Sequence, residues 1–358
     1  LNLIYCINRF YCINTTMNKN LAITVLTWND WKNTVCCLES IYQSSYNNFD
    51  VILVNNNSDK EHIDKVIEWS KNKIKTEDEE FEYNPNKSIE IIEVKKNLII
   101  ENKGQKRIYL INSTAKKNER WAVNLGCTAG LNLGYKFSLE QKYEYIARVD
   151  CDFIVTKNYL EEIINTLENN DDFIAASPKI IHGGLRHTIW WHGFKRSWSF
   201  LKFHRLMNLK KKRIIDDPSI KGIVETDAVC GCCSVYKSKG LLLAGLGDED
   251  FFFGPEDMEL SFRLSKFGRL VVNLDLKTFH KIVSSSKISG WLSRSYYEAK
   301  GFLILIKKSG NFFDKIIGYP YFLLRIPYFL ILLILKKREK DRVFGFCLGC
   351  YDFFFKKR

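Results

Sequence analysis

The chain has 358 residues, is 46% hydrophobic and 14% aromatic, and carries a formal net charge of +13. That is enough apolar material for a substantial core in one large domain or two ordinary ones. The positive charge is clustered at Lys202–Arg213, Lys336-Lys337-Arg338 and Lys356-Lys357-Arg358, a pattern that suits nucleic acid or an anionic membrane face. No zinc-finger spacing, aromatic RNA-binding motif or basic region followed by heptads is present, so nucleic acid is excluded as a partner and a membrane surface is favoured. The 11 cysteines are scattered, odd in number and partly inside apolar runs, which points to reduced thiols in a cytosolic protein. Cys230-Gly231-Cys232-Cys233 has no second ligand pair at zinc spacing, so core or loop cysteines are expected there.

Residues 1–20 form no recognisable element and are expected to be a disordered or non-native lead, with Met17 opening a polar approach to the first strand. A secretory signal is not expected, because a charged n-region is missing. Leu21–Leu26 reads as a strand ending in Thr27-Trp28-Asn29-Asp30, and a helix with Val35, Leu38, Ile41 and Tyr42 on one face follows. Phe49–Val54 is a second strand, ending in Asn55-Asn56-Asn57-Ser58-Asp59. A helix then buries Ile63, Val66, Ile67 and Trp69. This rhythm predicts a mostly parallel sheet with both polar strand ends at one edge. Residues 71–88 read as a loop and Ile89–Val94 as a strand. Residues 95–120 read as an insertion, with Ile108–Ile111 its one strand-like piece.

Asn124-Leu125-Gly126 opens a helix through Leu139 that also carries Gly130, Asn132 and Gly134. Tyr145–Val149 is a strand ending in Asp150-Cys151-Asp152. A helix at Leu160–Leu167 and a strand at Phe173–Pro178 follow. Residues 182–223, rich in Trp, His, Lys and Arg, read as a variable substrate-side segment. Strand character returns at Glu225–Tyr236. Glu256-Asp257 leads into a helix over Met258–Phe267, Leu270–Leu274 is a last strand, and His280 comes six residues later.

The 20 residues Ile316–Leu335 hold one charge, Arg325, and are long enough to span a bilayer. Lysines on both flanks, Pro320, Pro327 and the central Arg favour a segment lying in the membrane interface. Residues 282–358 are accordingly expected to form a helical, apolar and basic membrane-associated extension.

Two carboxylates at a strand end, Asp150 and Asp152, suit a hard divalent cation that in turn holds phosphate oxygens; an isolated Asp-x-Asp also suits a simple acidic turn. The order of the motifs narrows this. Thr-x-Asn is followed by Asn-Asn-Asn-Ser-Asp, then Asn-Leu-Gly-x-x-x-Gly-x-Asn-x-Gly, Asp-x-Asp, Gly-x-Cys-x-Val-Tyr-Lys, Phe-Phe-x-x-x-Glu-Asp-x-x-Leu-x-x-Arg-Leu and a lone His. Over residues 21–281 this series resembles the family-2 glycosyltransferases, and is similar to rhamnosyltransferase-like enzymes.

The resemblance implies an α/β, GT-A type nucleotide-diphospho-sugar transferase fold: a mostly parallel sheet flanked by helices, plus the C-terminal extension. It implies an inverting, metal-dependent transfer of sugar to a hydroxyl of a glycan or lipid-linked acceptor, at the cytoplasmic face of the cell membrane. Asp150, Asp152 and His280 would hold Mn2+ or Mg2+, although a lone His is also commonly structural. Thr27, Asn29, Asn55, Asp59, Asn124, Gly126, Gly130, Asn132 and Asp150 would border the donor. Asn55 stands where the family usually carries Asp. Gly126, Gly130 and Gly134 suit either close approach to the donor or packing. Their spacing is not Gly-x-Gly-x-x-Gly, so a nicotinamide cofactor is disfavoured. Asp257 would be the catalytic base, assisted by Glu256, at a helix start where acids are also favoured for electrostatic reasons. Trp190, Trp191, His192 and Trp198 suit an acceptor platform, a lid or core packing. A sugar-1-phosphate nucleotidyltransferase would need a basic, Gly-rich phosphate loop after the first strand, which Thr27–Asp30 is not. A non-catalytic membrane scaffold would have no need of the intact acidic motifs.

Overall fold

The computed structural model describes residues 19–196, 214–281, 285–335 and 340–356. Its first half is a parallel sheet. Strand β1 (Leu21–Thr27) lies between β2 (Phe49–Asn56) and β5 (Tyr145–Val149). Beyond β2 come β4 (Ile108–Ser113) and β3 (Ile91–Glu93), all parallel. β1 and β2 read as unbroken apolar runs because both faces are covered. Leu21, Ile23, Val25, Val51 and Leu53 join one core cluster, while Ala22 and Ile52 join the cluster on the opposite face. In register, Thr27, Asn55 and Asn112 stand side by side, so the carboxyl ends of β1, β2 and β4 form one edge.

The placement of β4 corrects the reading of residues 95–120 as an insertion, since six of those residues form a sheet strand. Its entry turn is fixed by a buried acid of the neighbouring strand. Asp50 accepts backbone hydrogen bonds from Gly104 (2.6 Å), Gln105 (3.1 Å) and Arg107 (3.1 Å), and one from the Tyr143 hydroxyl (2.8 Å).

The second half is mixed. β11 (Cys233–Lys237) runs antiparallel between β5 and β7 (Phe173–His182). β12 (Arg269–His280) lies parallel to β7, and β10 (Ile223–Thr226) closes that edge antiparallel to β12. β6 (Phe153–Val155) pairs with the end of β12, while β8 (Leu185–Trp191) and β9 (Ile214–Ile215) extend from β7. The strand character expected over Glu225–Tyr236 belongs to two strands, β10 and β11, separated by Asp227–Cys232, where Gly231 N donates to Asp257. The last strand runs six residues beyond Leu274, so His280 is its final residue.

Helices α1 (Trp31–Tyr42), α2 (Lys60–Ser70), α3 (Cys127–Glu140), α4 (Tyr159–Glu168), α5 (Ser238–Ala244) and α6 (Glu256–Leu264) cover the sheet. The C-terminal α7 (Ser285–Ser309), α8 (Phe312–Ile334) and α9 (Lys340–Phe355) share a separate core of Leu303, Ile304, Phe322, Phe329 and Phe346, to which Phe251 and Met258 from the α6 region also belong. Pro320 and Pro327 do not interrupt α8, which is a single 23-residue helix. Asn311 starts it with a capping box in which its side chain accepts from Asp314 N and Asp314 accepts from Asn311 N.

Candidate active site

Strand alternation decides the centre of the site. Arg148 and Asp150 are two residues apart near the end of β5, so both side chains point to one face. Arg148 is buried, and its guanidinium grips Asp150 with two bonds, Nε to Oδ1 at 2.9 Å and Nη2 to Oδ2 at 3.2 Å. Its third branch, Nη1, donates to Glu256 Oε1 at 3.2 Å. Nη2 also lies 3.4 Å from Cys127 Sγ, whose thiol reaches Glu256 Oε1 at 3.5 Å. Arg148 was missed in reading the sequence. The available signal was a charged residue inside an apolar strand, two positions before an acid.

Asp257 is the second residue of α6. Gly231 N donates to its Oδ2 at 3.0 Å and Met258 N to its Oδ1 at 2.8 Å. Burial raises the Asp257 carboxyl above its ordinary value, against the pull of the Gly231 amide and Arg148. Burial also pushes Glu256 up to about 7; Arg148 opposes that rise and the neighbouring Asp257 charge adds to it. One guanidinium thus faces three acids at the meeting point of β5 and α6.

Asp152, in the turn between β5 and β6, and His280, at the end of β12, come together. His280 Nε2 lies 3.2 Å from Asp152 Oδ2, and Lys281 N donates to the Asp152 carbonyl at 2.9 Å. The imidazole stacks on Phe153 (centroids 4.6 Å) and meets the edge of Trp190 (4.6 Å), while its Nδ1 is buried without a hydrogen-bond partner. Asp150 does not complete a triad with them, since both of its oxygens are engaged by Arg148. Among the described residues no group of three metal-ligating side chains converges.

Most of the expected donor contacts instead join the loops to one another. Thr27 is buried, its hydroxyl 2.6 Å from that of Thr34 and 2.8 Å from His62 Nε2. Burial lowers His62 to about 4. Asn29, at φ +49°, accepts from Asp59 N at 2.8 Å, and Asn29 N donates to Ser58 Oγ at 3.1 Å. Asn55 accepts from Ser58 N and donates to Asn112 Oδ1, both at 3.0 Å. Asp59 remains exposed at the start of α2. Asn124 accepts from Gly126 N at 2.9 Å. Asn132 holds the loop before α6, donating to Gly247 O (2.8 Å) and Glu249 Oε1 (3.0 Å) and accepting from Gly247 N (2.9 Å). Asn56, another residue missed in the sequence, donates to Gly126 O (3.0 Å) and accepts from Leu125 N (3.1 Å), so it fixes the turn into α3.

The glycines serve close packing. Gly126 has φ +84°, and a Cβ there would fall 2.6 Å from Phe252 O; at Gly130 it would fall 2.7 Å from Leu26 Cδ1. Of the aromatic candidates, Trp190 is 39% exposed and Trp191 packs partly against the main core. Trp198 and the basic run Lys202–Arg213 lie outside the described residues, as do residues 1–18, Lys336–Arg338 and the last two residues.

With this geometry in view, residues 119–230 match the model of Glycosyl transferase family 2. Among solved structures, the chain is similar to GalNAc-T7 crystallised with UDP, GalNAc and Mn2+, with a TM-score of 0.50 and 14% identity over 81% of this chain and 48% of that one. It is also similar to S. aureus TarS, with a TM-score of 0.47 and 14% identity over 80% of this chain and 39% of that one. The chain thus spans about half the length of the first structure and less of the second. No curated protein matches it. The likeness to GalNAc-T7 concerns the fold, a GT-A type α/β architecture. The matched segment runs from the approach to Gly126, through the Asp150–Asp152 strand end, to Cys230 beside the amide that holds Asp257, and over this segment the chain is similar to the family-2 glycosyltransferases.

Proposed function

We propose that the protein transfers a sugar from a nucleotide-diphosphate donor to a hydroxyl of a glycan or lipid-linked acceptor, with inversion at the anomeric carbon. The observation that carries this reading is the meeting of Asp150 at the end of β5 with Glu256 at the start of α6 through Arg148. It sets the acidic end of β5 against a helix whose second residue, Asp257, is an acid suited to taking a proton from an attacking hydroxyl.

Asp152 and His280 fit a divalent cation. A carboxylate and an imidazole, with Oδ2 and Nε2 3.2 Å apart, would hold it. Such an ion, Mn2+ or Mg2+, would offset the charge of the departing diphosphate when bound. The chain's own groups have separate tasks: Asp257 accepts the acceptor's proton, Glu256 is held beside it by Arg148, and Trp190 offers an exposed aromatic face next to His280.

The acceptor reading extends to the cytoplasmic membrane face. α8 is the one helix among the described residues long and apolar enough to cross a bilayer. Its outward face carries Phe312 (70% exposed), Leu324 (71%) and Ile334 (79%). Arg325 does not face outward with them. Its guanidinium lies over the rings of Phe329 (4.8 Å), Tyr321 (5.3 Å) and Phe346 (5.5 Å), which favours a helix resting in the interface on its apolar side.

The test is hydrolysis and transfer by the full chain across a panel of UDP-, GDP- and dTDP-sugars with Mn2+. Turnover of one donor that is lost in Asp152→Ala supports the reading; no turnover of any donor overturns it.

A further inference from the structure

We propose that Arg148 is a positioning residue for the transfer reaction: it ties the donor-side acid Asp150 to Glu256 at the start of the catalytic helix, so that the two halves of the site keep one fixed spacing. This inference rests on the glycosyl-transfer reading and adds a residue that reading does not require.

The argument begins with cost. A buried guanidinium is strongly disfavoured unless its charge and its donors are matched. Here Nε, Nη1 and Nη2 each find an acceptor, and the acceptors come from three places in the chain: Asp150 just after β5, Glu256 on α6 and Cys127 at the start of α3. A salt bridge serving only the sheet would not need a partner 108 residues away at the N-terminus of α6. The packing leaves no slack around the bridge. A Cβ at Gly231 would lie 2.7 Å from Arg148 Nη1 and 2.6 Å from Asp257 Cβ, so the loop that donates to Asp257 needs a glycine to pass between them.

The planar fork matters as much as the charge. Two parallel bonds to Asp150 fix the plane of its carboxylate, and the third branch then points to Glu256 in a set direction. A lysine ammonium keeps the charge but cannot span both acids in this way. Arg148 touches neither donor nor acceptor in this reading; it acts through Asp150 and Glu256. Because Glu256 neighbours Asp257, a shift of α6 would move the base relative to the donor, and small misplacements of reacting groups are costly in rate.

The experiment compares wild type, Arg148→Lys, Arg148→Gln, Glu256→Gln and the Arg148→Gln/Glu256→Gln double variant in the full chain. It measures kcat on the donor identified by the panel, the calorimetric Kd for UDP with Mn2+, and Tm. Both Arg148 variants are expected to lose on the order of thirtyfold or more in kcat, with Kd changed by less than about threefold because Asp152 and His280 are untouched. The double variant is expected to be no worse than Arg148→Gln alone by more than about threefold, since both changes cut the same bridge. Wild-type kcat in Arg148→Lys or Arg148→Gln, or losses that multiply in the double variant, would overturn the inference while leaving the glycosyl-transfer reading intact. A wild type that turns over no donor overturns both. Should the Arg148 variants fail to fold, Glu256→Gln alone must show the loss of kcat at unchanged Kd, and wild-type kcat in it overturns the inference.

Discussion

Arg120 and Asp352 are joined by two hydrogen bonds, Nε to Oδ2 and Nη2 to Oδ1, each 3.1 Å long. Asp352, on α9, is almost wholly buried and also accepts from the Tyr296 hydroxyl at 2.7 Å. Arg120 lies just before Asn124, and its carbonyl accepts from the Tyr297 hydroxyl. The C-terminal helices are therefore anchored to the loop that leads into α3. Burial alone would raise Asp352, but the bonds from Arg120 and Tyr296 outweigh it and hold the carboxyl below its ordinary value. A depressed carboxylate stabilises the fold above its unfolded value, near 4, and that contribution is lost as pH falls through the lower, folded value. Arg120→Met is expected to cost about 1 kcal/mol at neutral pH, because the arginine itself is partly exposed. Acid unfolding monitored by circular dichroism should begin at a higher pH in the variant; an unchanged acid limb would contradict the pairing.

Glu256 gives the opposite slope. Its folded value, about 7, lies above its ordinary 4.5. The stability this contributes is complete below about 4.5 and is lost as pH rises through 7. Glu256→Gln, which stays neutral throughout, should therefore gain on wild type as pH moves from 5 to 8. Melting curves at the two ends of that window check this, and a parallel pH trend in both proteins would contradict it.

Asp152→Asn and His280→Ala each remove one of two side chains suited to a cation. The Kd for Mn2+ in the presence of UDP should rise about tenfold or more in either variant. Asp171→Asn, on an exposed residue just before β7, should leave it within about twofold. Manganese electron paramagnetic resonance provides the readout, and an unaltered Kd in both site variants would remove the cation from this position.

Gly126→Ala tests the turn into α3. A methyl group there meets Phe252 O at 2.6 Å on a backbone with φ +84°, and Phe252 O also accepts from Cys127 N at 2.7 Å. Strain and the displaced loop should together cost about 2 kcal/mol. Chemical denaturation provides the check; a loss below about 0.5 kcal/mol would mean that the loop moves freely.

Leu324→Glu and Ile331→Glu change exposed residues of α8, 71% and 54% accessible. Thermal stability should stay within about 0.5 kcal/mol of wild type, while flotation with phosphatidylserine-containing vesicles should fall by at least about fivefold. Undiminished flotation of the double variant would exclude this face as the membrane contact.

The alternation of apolar runs with helical patterns was enough to determine the α/β class, and the acidic strand end and Glu256-Asp257 were enough to single out acids that the structure gathers around Arg148, because these signals are local: side-chain period, turn residues and paired charges within a few positions. The role of each polar residue was not local. Thr27 and Asn55 near the ends of β1 and β2, and Asn132 in α3, are polar residues suited to a ligand, yet their hydrogen bonds reach residues as many as 117 positions away. Strand β4 was obscured for the same reason, since its entry turn depends on Asp50 of a different strand. Arg148 shows the limit most clearly. The sequence by itself placed an arginine two residues before Asp150, which fixes their common face. Only the tertiary structure decided that α6 would bring Glu256 to the other side of that guanidinium, because a buried charge takes its partners from whatever the fold packs beside it, regardless of distance along the chain.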